Sequence, residues 1–391
     1  MLTLKSCDSY DYRKETENFD PLSETWEQIC EAHWDRMSKP LGGLGALEKT
    51  IARIGGIQKK EEVSLGKRAL VILCADNGII EEGVSQSSND ITTSVAKRMG
   101  AGLSNVNLMA KSTRVDIYPI DIGIKDEFVH DTVQDLCVVH GTKDFLKEPA
   151  MSEEEAGKAV SRGIGIAYQL ADNGYEAILL GEMGIGNTTT SSALTAAYLD
   201  VPVKIVTGAG AGLPLAKVFH KIEVIEKGIE KHLGFLPGAS LRDTEGDVAE
   251  LLKKTSEEKA GSGCPEPDPF RVLCAVGGLD IAALSGVILG AAVKGIPVIL
   301  DGFISFAAAL TAMKLVPGSE KVLIGSHMSS EPASRMLVEA LGIDPVIHAG
   351  MHLGEGTGAV AVLPLLDMAL NVYNSGETFA SAGIEAYTKY T

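Results

Sequence analysis

The sequence predicts an α/β protein built on a parallel sheet of about six strands with flanking helices. Three observations carry that expectation. From Ala69 onward, short apolar runs of β type alternate with longer stretches of helical period, the pattern of parallel strands joined by crossover helices. Glycine and polar residues follow one apolar run after another, as tight strand-to-helix turns require. A chain of 391 residues with 45% apolar content and 43 glycines can bury a large core and supply those turns.

Taken in order, residues 1–22 form a polar lead-in. Residues 26–37 and 44–57 have helical period and flank the turn Ser38-Lys39-Pro40-Leu41-Gly42-Gly43. Strands are predicted at 69–75, 115–120, 177–180, 203–206, 297–300 and 322–325. Helices are predicted between them at 152–173, 215–232, 281–294 and 333–341. Residues 235–268 break the rhythm with DTEGDVAELLKKTSEEK and AGSGCPEPDP, and read as a surface insertion with one short helix. Helix returns at 357–372, so both ends are expected to pack together as a small helical domain. The resulting division is 1–64 and 346–391 for the small domain, and 65–345 for a large nucleotide-binding domain.

Charge and cysteine usage narrow the function. Fifty-two acidic against 35 basic residues give a net charge of −17, which argues against a nucleic-acid or anionic-membrane surface. An anion site must then be local, made of backbone donors and a few lysines. Six cysteines show neither CxxC nor finger spacing, and several lie in apolar runs, as expected of reduced thiols in a cytoplasmic protein. Residues 1–20 are polar and mixed in charge, unlike a signal peptide. The long apolar stretch 281–300 is bounded by Asp280 and broken by Lys294, Gly295 and Pro297, so it reads as a buried helix and a strand.

The segment GEMGIGNTTTSSAL, residues 181–194, sits directly behind the apolar run 177–180. Gly184 and Gly186 let backbone N–H groups converge at the start of the helix that follows, where the dipole favours a phosphate or carboxylate. Glu182 stands at the rim of that turn. Ligands of open parallel sheets bind beyond the carboxyl ends of the strands, and the other predicted strands lead into Asp76 and Ser85, into Gly208, Gly210 and Gly212, into Asp301 and Ser305, and into His327. Asp76 and Asp301 equally suit helix N-caps, His327 an interior histidine, and the glycines ordinary turns. His348 and His352 have zinc spacing but no HExxH glutamate, so no metal site is expected. Glu355 lies between Gly354 and Gly356 at the mouth of an apolar helix, where the glycines let a ligand approach. A bound planar ring would seal it from water and move its pKa toward that of a general base.

Several long motifs occur in one order: MSKPLGGLGALE at 37–48, CADNGIIEEGVS at 74–85, GTKDFLKEPAMS at 141–152 and GEMGIGNTTTSSA at 181–193. AVGGLDIAAL at 275–284, DGFISFAAAL at 301–310, GSHMSSEP at 325–332 and LGEGTGAVAVLPLLDMAL at 353–370 follow. Across roughly residues 35–375 the chain closely resembles the nicotinate-nucleotide:dimethylbenzimidazole phosphoribosyltransferases of cobalamin lower-ligand synthesis. The resemblance implies a Rossmann-like sheet, a homodimer, no metal or organic cofactor, and small-molecule substrates. It implies transfer of 5-phosphoribosyl from nicotinate mononucleotide to a benzimidazole, with Glu355 as general base and Glu182 assisting or holding the ribose. It assigns phosphate and ribose to Gly184, Ile185, Gly186, Asn187, Thr188, Lys221, Gly208, Gly210 and Gly212. The base pocket falls to Ser85, Asn89, Met183, Asp301, Ser305, His327, Leu353 and Gly354.

The chain departs from the family pattern at named positions. Ser88-Asn89-Asp90 replaces a proline-glutamine-glutamate run, His352 stands where arginine is common, and Ala209 and Ala211 replace arginine and threonine. The acceptor is therefore open to another benzimidazole, a purine or a phenol. A non-catalytic nucleotide-binding subunit is the competing expectation. A kinase-like reading lacks the GxxxxGK[ST] motif.

Overall fold

The computed structural model describes residues 2–129, 131–210, 212–239 and 267–388. Its core is a parallel sheet of β1 (Arg68–Ala75), β2 (Val115–Gly123), β3 (Gln134–Asp135), β4 (Ala177–Met183), β5 (Val298–Leu300) and β6 (Leu323–Gly325). The strand order is β3-β2-β1-β4-β5-β6, with every neighbouring pair parallel. The chain winds outward in one direction from β1 and in the other from β4. That switch point puts a crevice at the carboxyl ends of β1 and β4, where such sheets bind ligands. All eight residues of β1 are buried, as expected of a strand covered on both faces.

Glycines let two of the flanking helices cross closely. Helix Glu153–Asp172 opens with a capping box in which Ser152 and Glu155 exchange hydrogen bonds. It crosses helix Leu279–Lys294 backbone to backbone: a Cβ at Gly163 would lie 2.1 Å from the Ala283 carbonyl oxygen, and one at Gly286 2.1 Å from that of Val160. No side chain larger than hydrogen fits either position.

The predicted elements at 69–75, 115–120, 177–180, 297–300 and 322–325 are strands in the sheet. The expected strand at 203–206 is not: Val203–Val206 is a single helical turn. Pro202 precedes it at the N-cap, and Val203 and Val206, three residues apart, bury the same face while Lys204 is exposed. The run was too short to distinguish periods of 2 and 3.6. The sixth strand is instead β3, two residues long, which pairs with β2 at Ile120 and Asp121. The short helix expected within 235–268 falls almost wholly at 240–266, outside the described residues.

The two ends of the chain meet. Trp34 of helix Glu24–Arg36 packs edge-on against Tyr373 at 4.9 Å, His33 contacts the Tyr373 carbonyl at 3.0 Å, and Met37 bridges Thr378. Helix Ala46–Gln58 packs on helix Thr357–Tyr373. Among the described residues no helix is long and apolar enough to cross a membrane.

Candidate active site

The crevice at the switch point is built from the ends of β1, β4, β5 and β6. At β4, Glu182 and Met183 are the last strand residues, and the chain turns through Gly184, Ile185 and Gly186 into helix Asn187–Leu199. This turn is pressed against the end of β1. A Cβ at Gly184 would lie 2.5 Å from the Ala75 carbonyl oxygen, and Gly186 takes a φ of 94°. The Ile185 N–H donates to Thr92 Oγ1 at 3.3 Å, and Asn77 Nδ2 donates to the Ile185 carbonyl at 3.3 Å. Thr92 also donates to Asp76 Oδ1 at 2.6 Å, while Asp76 Oδ2 accepts the Lys125 N–H at 2.9 Å. Asp76 thus ties helix Asp90–Gly100 to the segment after β2 and is not the helix N-cap that its alternative reading made it, Asn77 taking that place.

Beside the turn opens a cleft of about 60 Å³, lined by Ser85, Gly184, Ile185, Thr188, Ala209 and Leu213 among others. Lys221, on helix Leu215–Leu233, reaches the lining residue Thr188 and donates to its Oγ1 at 2.8 Å. Its side chain is only 1% exposed. Burial pushes the ammonium down to about 8, with the Glu331 carboxylate acting in the opposite direction. Gly210 lies against Thr188, where a Cβ would approach Oγ1 to 2.8 Å, and the Gly212 carbonyl accepts a bond from Gln86 Nε2. The glycine loop therefore flanks the turn, although it leaves a helical turn and not a strand.

Acids gather on the other side of the same turn. Asn187 Nδ2 donates both to Glu182 Oε2 and to Asp280 Oδ2, the latter at 3.1 Å. Burial pushes Glu182 up to about 8; the Asn187 bond lowers it, while the charges of Asp280, Asp301 and Glu355 raise it further. Asp280 is pushed up to about 6, again chiefly by burial. Both shifts favour the protonated forms.

Glu355 comes to the cluster on a loop of three successive residues with positive φ: 81° at Gly354, 60° at Glu355 and 86° at Gly356. Only the glutamate is strained by that conformation. The loop lies across β4, so that a Cβ at Gly181 would sit 2.9 Å from the Glu355 carbonyl oxygen. A Cβ at Gly354 would sit 2.6 Å from Glu182 Oε1. Both glutamates therefore occupy one corner of the crevice. Glu355 is 9% exposed, and its Oε2 accepts the Val106 N–H at 3.3 Å from the first turn of helix Asn105–Ala110.

Asp301 and His327 hold this loop from beneath. Asp301, 3% exposed, accepts the Gly356 N–H at 3.0 Å and the Gly358 N–H at 2.7 Å, capping helix Thr357–Tyr373 from a distant strand. Burial raises its pKa, against the pull of the neighbouring imidazole and those N–H donors. His327 is packed under Gly358, where a Cβ would lie 1.9 Å from Nδ1, and burial favours its neutral form. Ser305 is buried and donates to the Gly302 carbonyl at 2.8 Å. Asp301 and His327 thus pack against the loop that carries Glu355.

Ser85 lines the cleft and accepts the Ser87 N–H at 3.1 Å. Asn89 stands at the N-cap of helix Asp90–Gly100 with its Oδ1 buried and unpaired. Leu353 is 50% exposed beside Gly354, and Met183 is partly buried. Sequence reasoning passed over Val106, Thr92, Asp280 and Glu331 as site residues; the last two lie within quoted motifs, whereas Val106 has no local signal. Among the described residues no group of three His, Cys, Asp or Glu side chains is arranged to hold a metal ion.

Comparison with known proteins gives the family. A family model described as "Phosphoribosyltransferase" matches residues 19–256 and 247–384. The chain belongs to this phosphoribosyltransferase family. The nicotinate-nucleotide–dimethylbenzimidazole phosphoribosyltransferase of Acetivibrio thermocellus is 38% identical over 353 residues, 90% of this chain and 92% of that protein. The enzyme of the same name from Ruminiclostridium cellulolyticum is 37% identical over 361 residues, covering 92% and 94%. The crystal structure of CobT from Thermus thermophilus superimposes with a TM-score of 0.79 at 31% identity, covering 93% of this chain and all of that one. Membership of the phosphoribosyltransferase family makes the chain an enzyme and fixes the class of its reaction.

Proposed function

We propose that the enzyme transfers 5-phosphoribosyl from nicotinate mononucleotide to 5,6-dimethylbenzimidazole or a related lower-ligand base, giving the α-nucleotide and nicotinate. The named relatives support the reaction. The observation that carries the mechanism is the convergence of Glu355 and Glu182 at Gly354, beside the Gly184–Thr188 turn. In this reading the donor phosphate lies at the start of helix Asn187–Leu199, against Lys221 and the loop of Gly208, Gly210 and Gly212. The base lies toward Ser85, Asn89, Met183 and Leu353.

Glu355 takes the acceptor's ring N–H proton while the other ring nitrogen attacks C1′ of the ribose. The bond from C1′ to the pyridinium nitrogen breaks, and its electron pair stays with nicotinate, so the leaving group needs no proton. Attack from the opposite face inverts β to α without a covalent intermediate. The carboxylates around the cleft stabilise the positive charge that develops on the ribose. Asn89, with its unpaired Oδ1, favours an acceptor that presents a hydrogen-bond donor.

The chain is read as working in the cytoplasm as a homodimer. Leu103, Leu108 and Met109 stand exposed around Val106, the residue that contacts Glu355. The terminal segments 1–64 and 346–391 are read as one helical unit closing the crevice.

The test is direct. Protein and nicotinate mononucleotide are incubated with benzimidazoles, adenine and phenols, and products are identified by mass. Glu355→Gln is expected to cut turnover by at least about 10²-fold, the low end for a lost general base, with donor affinity unchanged. Full turnover in that variant would overturn the assigned role.

A further inference from the structure

One carboxylate beside the crevice is used by neither the fold nor the proposed chemistry. Glu331 follows β6, and its main chain is fixed: the N–H donates to Ser329 Oγ at 3.5 Å and the carbonyl accepts the Ser334 N–H at 3.0 Å. Its side chain is half-buried yet has no hydrogen bond or ion pair among the described residues. Every other acid at this edge has a donor: Thr92 and Lys125 for Asp76, Gly356 and Gly358 for Asp301, Asn187 for Glu182 and Asp280, and Val106 for Glu355.

Its position gives the reason. The carboxylate rests on the bare Cα of Gly208, where a Cβ would lie 2.2 Å from Oε2. The charged groups that act on it are Lys221, bonded to Thr188 at the anion turn, and His352, which leads into Leu353 and Gly354. Glu331 thus stands between the anion end of the crevice and the segment that carries Glu355. A nucleotide with its phosphate on the turn and its C1′ at Glu355 spans that interval with its ribose. A carboxylate offers two oxygens to two adjacent hydroxyl donors, and bonds to a charged acceptor are the stronger kind.

We infer that Glu331 binds the vicinal hydroxyls of the donor ribose and makes the enzyme selective for ribonucleotide 5′-monophosphates over deoxy and 2′-phosphorylated analogues. The inference rests on the donor reading above. Burial lifts the Glu331 carboxyl above its usual range, with Lys221 and His352 acting against that, as fits a group awaiting donors. A 2′-phosphate would bring negative charge against this carboxylate and be excluded.

The test compares nicotinate mononucleotide with its 2′-deoxy and 3′-deoxy analogues, by nicotinate release and by calorimetric affinity without acceptor. For the unaltered enzyme, loss of a hydroxyl is expected to cost about 10- to 100-fold in kcat/KM, the range for a hydrogen bond to a charged group. Glu331→Ala should lose about as much on the ribonucleotide and retain less than about threefold discrimination against either analogue. Glu331→Gln keeps the shape and one acceptor oxygen, and should fall between the two. Variants that discriminate as the unaltered enzyme does would overturn the inference. If the unaltered enzyme releases no nicotinate, the transfer reading fails, while the calorimetric comparison still decides the role of Glu331.

Discussion

Asp301→Asn separates a ligand-binding role from a supporting one. The carboxylate receives two N–H donors, from Gly356 at 3.0 Å and Gly358 at 2.7 Å, and these fix the loop in which Glu355 holds a φ of 60°. A hydrogen bond to a charged group contributes about 1.5–3 kcal/mol. Asparagine keeps one acceptor oxygen but turns an NH₂ group toward the second N–H, so one bond is lost and two donors face each other. Against this, burial raises the Asp301 pKa, meaning that the ionised form is destabilised by folding, and the substitution removes that cost. The net loss expected is about 1–3 kcal/mol. The loop is also held by Thr357, whose N–H and hydroxyl both donate to the Gly354 carbonyl, so the chain should still fold while Glu355 is displaced, and turnover should fall further than stability implies, by about 10²-fold, as for a lost general base. Donor affinity, which depends on the Gly184–Thr188 turn, should change little. Urea unfolding, nicotinate release and donor calorimetry read these three quantities. Unchanged stability and turnover, or a loss confined to donor binding, would refute the supporting role.

Other outcomes follow from the same geometry. Gly358→Ala forces a Cβ to within 1.9 Å of His327 Nδ1, and should cost at least about 1–3 kcal/mol as overpacking, seen as a lower urea midpoint. Glu182 has its folded pKa raised from 4.5 to about 8, so the folded state keeps a proton that the unfolded chain has lost. Stability contributed by that group therefore falls as pH rises across this window, and Glu182→Gln should flatten the fall in urea titrations made at successive pH values. Lys221 has its folded pKa lowered from 10.5 to about 8, so its burial cost is relieved as pH rises from about 8 to 10.5. Lys221→Met should remove that dependence and weaken donor binding, read by calorimetry.

Much of this was legible in the chain, for reasons that can be named. β1 and β4 are apolar runs that lead straight into polar or glycine-rich turns, and the turn after β4 has glycines where the end of β1 leaves no room for a side chain. Such features are local, so the sequence carries them. Val203–Val206 misled because four residues fit either period, and Pro202 tipped them toward a helical turn. β3 escaped because a two-residue polar edge strand is defined by its partner alone. Asp301 and His327 lie just past strands, where ligand contacts and supports look alike; their contacts with Gly356 and Gly358 come from residues about 55 positions away for Asp301 and about 31 for His327. Val106 reaches Glu355 across 249 positions, and no spacing rule spans that distance.

The arrangement of acids explains how such a site tolerates its own charge. Four carboxyl groups, of Glu182, Asp280, Asp301 and Glu355, interact at the switch point, and like charges at close range oppose full ionisation. Asp301 is neutralised in effect by two backbone donors, and Glu182 and Asp280 share one amide. Glu355 has one backbone donor, the Val106 N–H at 3.3 Å, a long contact. A cationic ribose arriving in this corner would relieve the repulsion, which ties stabilisation to the moment when charge develops on the sugar. Asn187→Ala tests the point. Without the bridging amide, Glu182 and Asp280 should repel more strongly, and the Glu182 pKa should rise above about 8. The limb of the kcat profile that reports Glu182 would then move to higher pH with Glu355 intact; a limb that stays in place would show that the cluster does not act as one electrostatic unit.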